Sequence, residues 1–113
     1  MQIGTDIVEI KRIKRACQRR SNFISRFFTS REVSKTPCQP GFYPHLAGRF
    51  AAKEAVAKAL GTGFRDFKWK DIEIFSDQLG KPIVKLRGGA KELLVSQGFE
   101  EVLVTISHCH DYA

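Results

Sequence analysis

Apolar positions recur along this chain at two different periods. Ile10, Ile13 and Cys17 fall on one face of a helix over Glu9 to about Arg20, while Lys11, Arg12, Lys14, Arg15, Arg19 and Arg20 fill most of the remainder. Before it, Gln2 to Val8 alternates loosely and predicts a short strand. After it, Asn22 to Phe28 predicts a short helical piece with Phe23, Phe27 and Phe28 turned inward. Thr29 followed by Glu32 has the spacing of a capping box and predicts another helix start. Pro37, Pro40, Gly41 and Pro44 then break the pattern into a loop.

The clearest element runs from about His45 to Leu60, with Pro44 just before it and Gly61 just after. Ala47, Ala51, Ala52, Ala55, Ala57 and Ala59 give it small side chains on every side. Such a helix admits close neighbours, which predicts a central, buried position. Asp71 to Phe75 and Pro82 to Leu86 read as strands joined by the hairpin loop Asp77-Gln78-Leu79-Gly80-Lys81. Gly89 to Gln97 reads as a helix closed by Gly98, and Glu101 to Ser107 as a β-branched strand. The order β-α-α-α-β-β-α-β predicts an α+β fold, a small and mostly antiparallel sheet packed with a central helix. The final segment, His108 to Ala113, looks cut short, as though strand residues once followed.

The 113 residues suit one domain, spanning 1–113 without repeat or linker. No stretch approaches the roughly 20 apolar residues of a membrane span. Asp6 interrupts the N-terminus before any long apolar run, which argues against a secretory signal and for a cytoplasmic location. Cys17, Cys38 and Cys109 are odd in number and irregularly spaced, so reduced thiols are expected. With 19 Lys and Arg against 12 Asp and Glu, the net charge is +7, which favours a polyanionic partner. Nucleic acid, a nucleotide phosphate and an acidic protein all qualify on charge alone.

Candidate chemistry must separate them. Glu54 lies near Phe50 and Ala57 on the central helix, where a carboxylate needs a cation or strong donors. Lys58, one turn on, offers an ordinary ion pair as one explanation. Asp6 follows a short apolar strand; it suits a helix N-cap, or a metal carboxylate at a strand end. Two carboxylates plus substrate phosphates are a usual way to hold Mg²⁺, provided that Asp6 and Glu54 meet. Gly61-Thr62-Gly63 is either a helix cap or a backbone-lined approach for a phosphate. His108, Cys109 and His110 lack the second ligand pair of a zinc site. Phe64, Phe67 and Trp69 interleave with Arg65, Lys68 and Lys70, a composition suited to core-directed aromatics or to a single-stranded nucleic-acid surface. The basic first helix is either a solvated face or a docking surface for an acidic partner.

Taken together, three blocks resemble the holo-[acyl-carrier-protein] synthase family of 4′-phosphopantetheinyl transferases. They are Ile3-Gly4-Thr5-Asp6-Ile7-Val8-Glu9-Ile10-Lys11-Arg12-Ile13, Leu46 to Ala55 running on through Lys58 to Gly63, and Ile106-Ser107-His108. Gly80-Lys81-Pro82 adds a weaker match, and the likeness covers nearly the whole chain. The resemblance implies transfer of phosphopantetheine from coenzyme A to a serine of an acidic acyl carrier protein, in fatty acid biosynthesis. It implies Mg²⁺ on Asp6 and Glu54, with Glu54, Asp6 and Lys58 as catalytic residues. Lys58, Gly61 and His108 match coenzyme A positions, and Arg49 and Lys53 are neighbours of the nucleotide phosphates. Arg12 matches a carrier-docking position, which Arg15, Arg19 and Arg20 extend. A homotrimer with its active site between subunits is implied as well, and nucleic acid is not. Thr36 to Tyr43 departs from the family pattern.

Overall fold

A computed structural model describes residues 1–113. Four helices and one hairpin follow in the order α1 (Ile10–Arg19), α2 (Phe23–Phe27), α3 (Phe42–Leu60), β1 (Ile72–Ser76), β2 (Pro82–Leu86) and α4 (Gly88–Ser96). A single 3₁₀ turn, Trp69–Asp71, leads into β1. The fold is α+β with a two-stranded antiparallel sheet.

Helix α3 is the spine. It begins earlier than the punctuation suggests, at left-handed Gly41, so Pro44 falls inside its first turn. Proline is tolerated there because first-turn N–H groups have no partner within the helix. The helix ends at Gly61, whose φ of +88° only glycine adopts without strain. Its small residues let it be covered on opposite sides. Leu46, Ala47 and Ala51 pack with Ile10, Ile13, Phe23, Phe28 and Phe42 on one side. Ala52, Val56, Ala57 and Leu60 pack with Ile72, Ile74, Ala90 and Leu94 on the other.

The hairpin pairs Ile72 with Leu86 through Ser76 with Pro82. Its loop is held by Asp77, whose Oδ1 accepts from the N–H groups of Leu79 and Lys81 at 2.9 Å each. Helices α1, α2 and α4 stand close to the predicted spans.

Three expectations need correction. Gln2 to Val8 and Glu101 to Ser107 form no ladder within the chain. The only bridge near them joins Glu9 to Tyr112, with Val8 and Ala113 exchanging backbone bonds of 2.9 and 3.0 Å. Side-chain alternation is nevertheless present, since Val102, Val104 and Ile106 pack on the second core while Leu103 and Thr105 face out. Alternation fixes which face is apolar, but a strand also needs a partner. Thr29 to Glu32 starts no helix either. The Thr29 N–H donates to Glu32 Oε1 at 3.0 Å, half of a capping box, but Glu32 Oε2 accepts from the Ile74 N–H at 2.9 Å. That bond ties the turn to β1 instead. Cys17, Cys38 and Cys109 are all unpaired.

Candidate active site

The N-terminal segment lies directly on the backbone of α3. A Cβ at Gly4 would collide with the carbonyl oxygen of Ala55 and stand 2.7 Å from the amide nitrogen of Ala59. Only the Gly4 and alanine combination permits this approach. Two residues further on, Asp6 Oδ1 accepts from Lys58 Nζ at 2.9 Å, and the same ammonium donates to the Thr5 carbonyl at 3.0 Å. Asp6 therefore does not cap α1; the cap position is Glu9, whose side chain makes no capping bond. Lys58 is paired with Asp6 rather than with Glu54.

Glu54 stands one turn before Lys58. Burial, chiefly, holds its carboxyl above the ordinary value, and the charge of Asp6 pushes the same way. Lys58 and Arg12 partly oppose that rise. Two acids and two cations from three elements thus share one electrostatic locus. Beside it a cleft of about 560 Å³ is lined by Lys58, Gly61, Thr62, Gly63, Phe64 and Arg65. Glycine backbone and two cations make this a surface suited to phosphate.

The remaining predicted residues are dispersed. His108 is exposed and does not line that cleft. Arg49 is buried, donates to Ser76 Oγ and leaves its Nε without a partner. Burial lowers its pKa, opposed by the charge of Glu32. Arg12, Arg15, Arg19 and Arg20 are exposed. None of these four is in an ion pair.

Lys53 is the clear correction. Its side chain is fully buried and its ammonium sits 2.7 Å from Glu32 Oε1. The same group donates to the carbonyls of Phe27 at 2.7 Å and Trp69 at 3.0 Å. All three of its donors are consumed, so Lys53 is a structural cation with nothing to offer a nucleotide. Sequence reasoning missed its partner Glu32, and also Glu73, a buried carboxylate that accepts from Thr29, Arg31 and Arg87. The signal for Glu32 was the incomplete capping box. The signal for Glu73 was an acid between Ile72 and Ile74, pointing away from their core.

This α+β frame belongs to a known class. The family model of the 4′-phosphopantetheinyl transferase superfamily matches residues 2–107, and the chain belongs to that superfamily. The relatives resolve it further. The chain is 47% identical over 111 residues to the holo-[acyl-carrier-protein] synthase of Caldanaerobacter subterraneus subsp. tengcongensis, covering 98% of this chain and 87% of the relative. It is 48% identical to the Clostridium acetobutylicum enzyme of the same name, covering 98% and 90%. The crystal structure of the Neisseria meningitidis holo-[acyl-carrier-protein] synthase superposes with a TM-score of 0.85 at 39% identity, covering 98% and 90%. The Helicobacter pylori synthase, solved in complex with coenzyme A, gives 0.82 at 31% identity, covering 97% and 92%. The chain is thus an enzyme of the holo-[acyl-carrier-protein] synthase family.

Proposed function

We propose that the chain transfers 4′-phosphopantetheine from coenzyme A to a serine of an apo acyl carrier protein, with Mg²⁺ held by Asp6 and Glu54. The carrying observation is the convergence of Asp6, Glu54 and Lys58 beside a glycine-backed cationic cleft. The donor set fits the metal. Mg²⁺ keeps most of its waters and takes one or two carboxylates plus substrate phosphates. The raised carboxyl of Glu54, pushed up by burial and by Asp6, marks negative charge that a cation relieves. Lys58 already answers Asp6 with a positive charge there. When bound, the metal supplies charge neutralisation and polarisation of the pyrophosphate.

The chain's own residues do the rest. The serine oxygen attacks the β-phosphorus, its bond to the bridging oxygen breaks, and adenosine 3′,5′-bisphosphate leaves. Lys58, about half exposed, is free to turn from Asp6 toward the phosphates. Gly61 and its neighbours offer backbone to the same anions, whereas Arg49 is buried against Ser76 and His108 lies outside the cleft lining. Glu54 accepts the serine proton, directly or through a water. The aromatic stretch 64–70 does not favour the nucleic-acid alternative. Phe64, Phe67 and Trp69 pack against one another, so their faces are not a free stacking platform. The test is a mass spectrum of apo carrier incubated with enzyme, coenzyme A and Mg²⁺. A gain of one phosphopantetheine arm is expected; no gain with any carrier defeats the reading.

Gly4 gives the first prediction. Gly4→Ala pushes the N-terminal segment off α3 and separates Asp6 from Glu54. A misplacement on the order of 1 Å costs about 100-fold in rate. The Mg²⁺ concentration for half-maximal rate should rise with it, measured by steady-state assay. An unchanged metal requirement would remove Gly4 from the account.

Helix α1 gives the second. Its unpaired arginines suit docking of an acidic carrier, and such attraction is screened by salt. Raising ionic strength should increase the carrier KM several-fold and leave the coenzyme A KM within about twofold. The charge reversals Arg12→Glu, Arg15→Glu and Arg20→Glu should act the same way at low salt. Equal effects on both substrates would argue against docking on this helix.

Assembly follows from the unpaired segments. Met1, Ile3, Ile7 and Leu103 are exposed, and an apolar groove of about 310 Å³ runs between residues 1–4 and 99–104. A homotrimer that covers this face supports the same reading, and sedimentation equilibrium should give three times the chain mass. No helix is long and apolar enough to cross a membrane, which is compatible with a cytoplasmic enzyme.

A further inference from the structure

The 61–65 segment, which forms much of the phosphate cleft, has little backbone support of its own. From Thr62 to Phe67 no backbone group bonds to another backbone group. Gly61 and Gly63 both have positive φ, +88° and +63°, so the chain here has wide conformational freedom. The Thr62 hydroxyl reaches only the adjacent Gly63 carbonyl. Something else must fix the shape of the cleft.

Phe64 is the group that does. Its ring stacks face to face on Trp69, with centroids 3.9 Å apart and planes 12° apart. Trp69 stacks in turn on Phe50 at 4.9 Å, and Phe27 closes the column edge-on at 4.9 Å. Phe50 lies on α3, one turn before Glu54. The Trp69 carbonyl is held by the buried ammonium of Lys53. The column therefore connects the glycine segment to the central helix of the fold, one turn before Glu54.

We propose that Phe64 is a positioning residue for the coenzyme A phosphates, holding Gly61 to Arg65 in register with Glu54 through its stack on Trp69. The inference rests on the reading that those phosphates occupy this cleft. It assigns the aromatic stretch a purpose, since the rings brace an anion-binding backbone rather than bind bases. Aromatic anchoring suits this task because one planar contact fixes both distance and tilt.

The test compares the full-length wild type with Phe64→Ala, Phe64→Leu, Phe64→Tyr and Lys58→Met. Coenzyme A affinity is read by calorimetry, both KM values and kcat by steady-state assay, and the stack by fluorescence of Trp69, the only tryptophan. Phe64→Ala and Phe64→Leu should weaken coenzyme A binding roughly tenfold, the scale of one lost stack. Carrier KM should stay within about twofold, kcat should fall along with coenzyme A affinity because the phosphates lose register with Glu54, and Phe64→Tyr should restore both. Phe64→Leu keeps apolar burial, so it answers if the alanine variant does not fold. Trp69 emission should shift on adding coenzyme A to the wild type, and that response should vanish in Phe64→Leu. A loss shared equally by coenzyme A and carrier reduces Phe64 to a stabilising residue and overturns the proposal. If Lys58→Met weakens coenzyme A binding but Phe64→Leu does not, the proposal fails while the cleft assignment stands. If neither does, the phosphates bind elsewhere and both fall.

Discussion

Glu54→Gln is expected to reduce phosphopantetheine transfer by at least about 100-fold and yet to raise the melting temperature at neutral pH. On the roles proposed for Glu54, the loss of rate follows from removing both a metal carboxylate and the proton acceptor. The gain in stability follows from linkage. The folded protein holds the Glu54 carboxyl above its ordinary value, through burial first and the Asp6 charge second. The folded state thus binds this proton more tightly than the unfolded state. Stability from the group is greatest below the unfolded pKa and is lost as pH rises through the folded one. At neutral pH the ionised carboxylate opposes folding, and glutamine relieves that. The difference in Tm between variant and wild type should shrink to nothing once the pH falls below the ordinary carboxylate range. Added Mg²⁺ should raise the wild-type Tm and leave the variant unmoved. Asp6→Asn should lose activity similarly, since it removes the second proposed metal carboxylate and the partner of Lys58. A glutamine variant that is fully active, or less stable at neutral pH with metal absent, would count against the site.

The same locus separates what local pattern reveals from what it hides. Helix α3 was legible because small residues, Pro44 and Gly61 act within a single element. The hairpin was legible because its turn chemistry, Asp77 to Lys81, is local too. The segments 2–8 and 101–107 were misread for the opposite reason. Their alternation is genuine, but a ladder partner is a property of the assembled molecule. Thr29 and Glu32 form half of the predicted box, and the other carboxylate oxygen is taken by Ile74, distant in sequence. Asp6 and Glu54 were individually ambiguous, and physics alone favoured neither as a metal ligand. The resemblance singled them out, and Gly4 against Ala55 and Ala59 explains how the segment that carries Asp6 lies close on α3, within electrostatic reach of Glu54. That contact was readable in principle, since one glycine and a small-residue stripe are what such an approach requires.

Lys53 is where the role implied by the resemblance gives way to the structure, and it carries the largest stability prediction. A lysine beside the candidate catalytic acid invites a phosphate-binding role, but its ammonium has no exposure and three partners. Burial lowers its pKa, opposed chiefly by the charge of Glu32 and less by Glu73. Lys53→Met preserves length and apolar stem but strands the Glu32 carboxylate in the interior. Breaking a buried pair from one side costs about 3–5 kcal/mol, because the remaining charge is uncompensated. For a domain of this size that corresponds to a fall in Tm of about 10–25 °C, a large fraction of a typical total stability. The paired change Glu32→Gln with Lys53→Met removes the stranded charge while an amide oxygen can still accept from Thr29 or Ile74. Urea denaturation should therefore find the double variant more stable than Lys53→Met alone, with a coupling on the order of 1–3 kcal/mol. The consequence reaches the active site through Trp69, whose carbonyl Lys53 holds and whose ring carries Phe64. Lys53→Met at a temperature where it remains folded should thus lose coenzyme A affinity as well as stability. A loss below about 1 kcal/mol in the single variant would mean that the interior solvates Glu32 by other means, and the buried pair would cease to be what joins the 29–32 turn to α3.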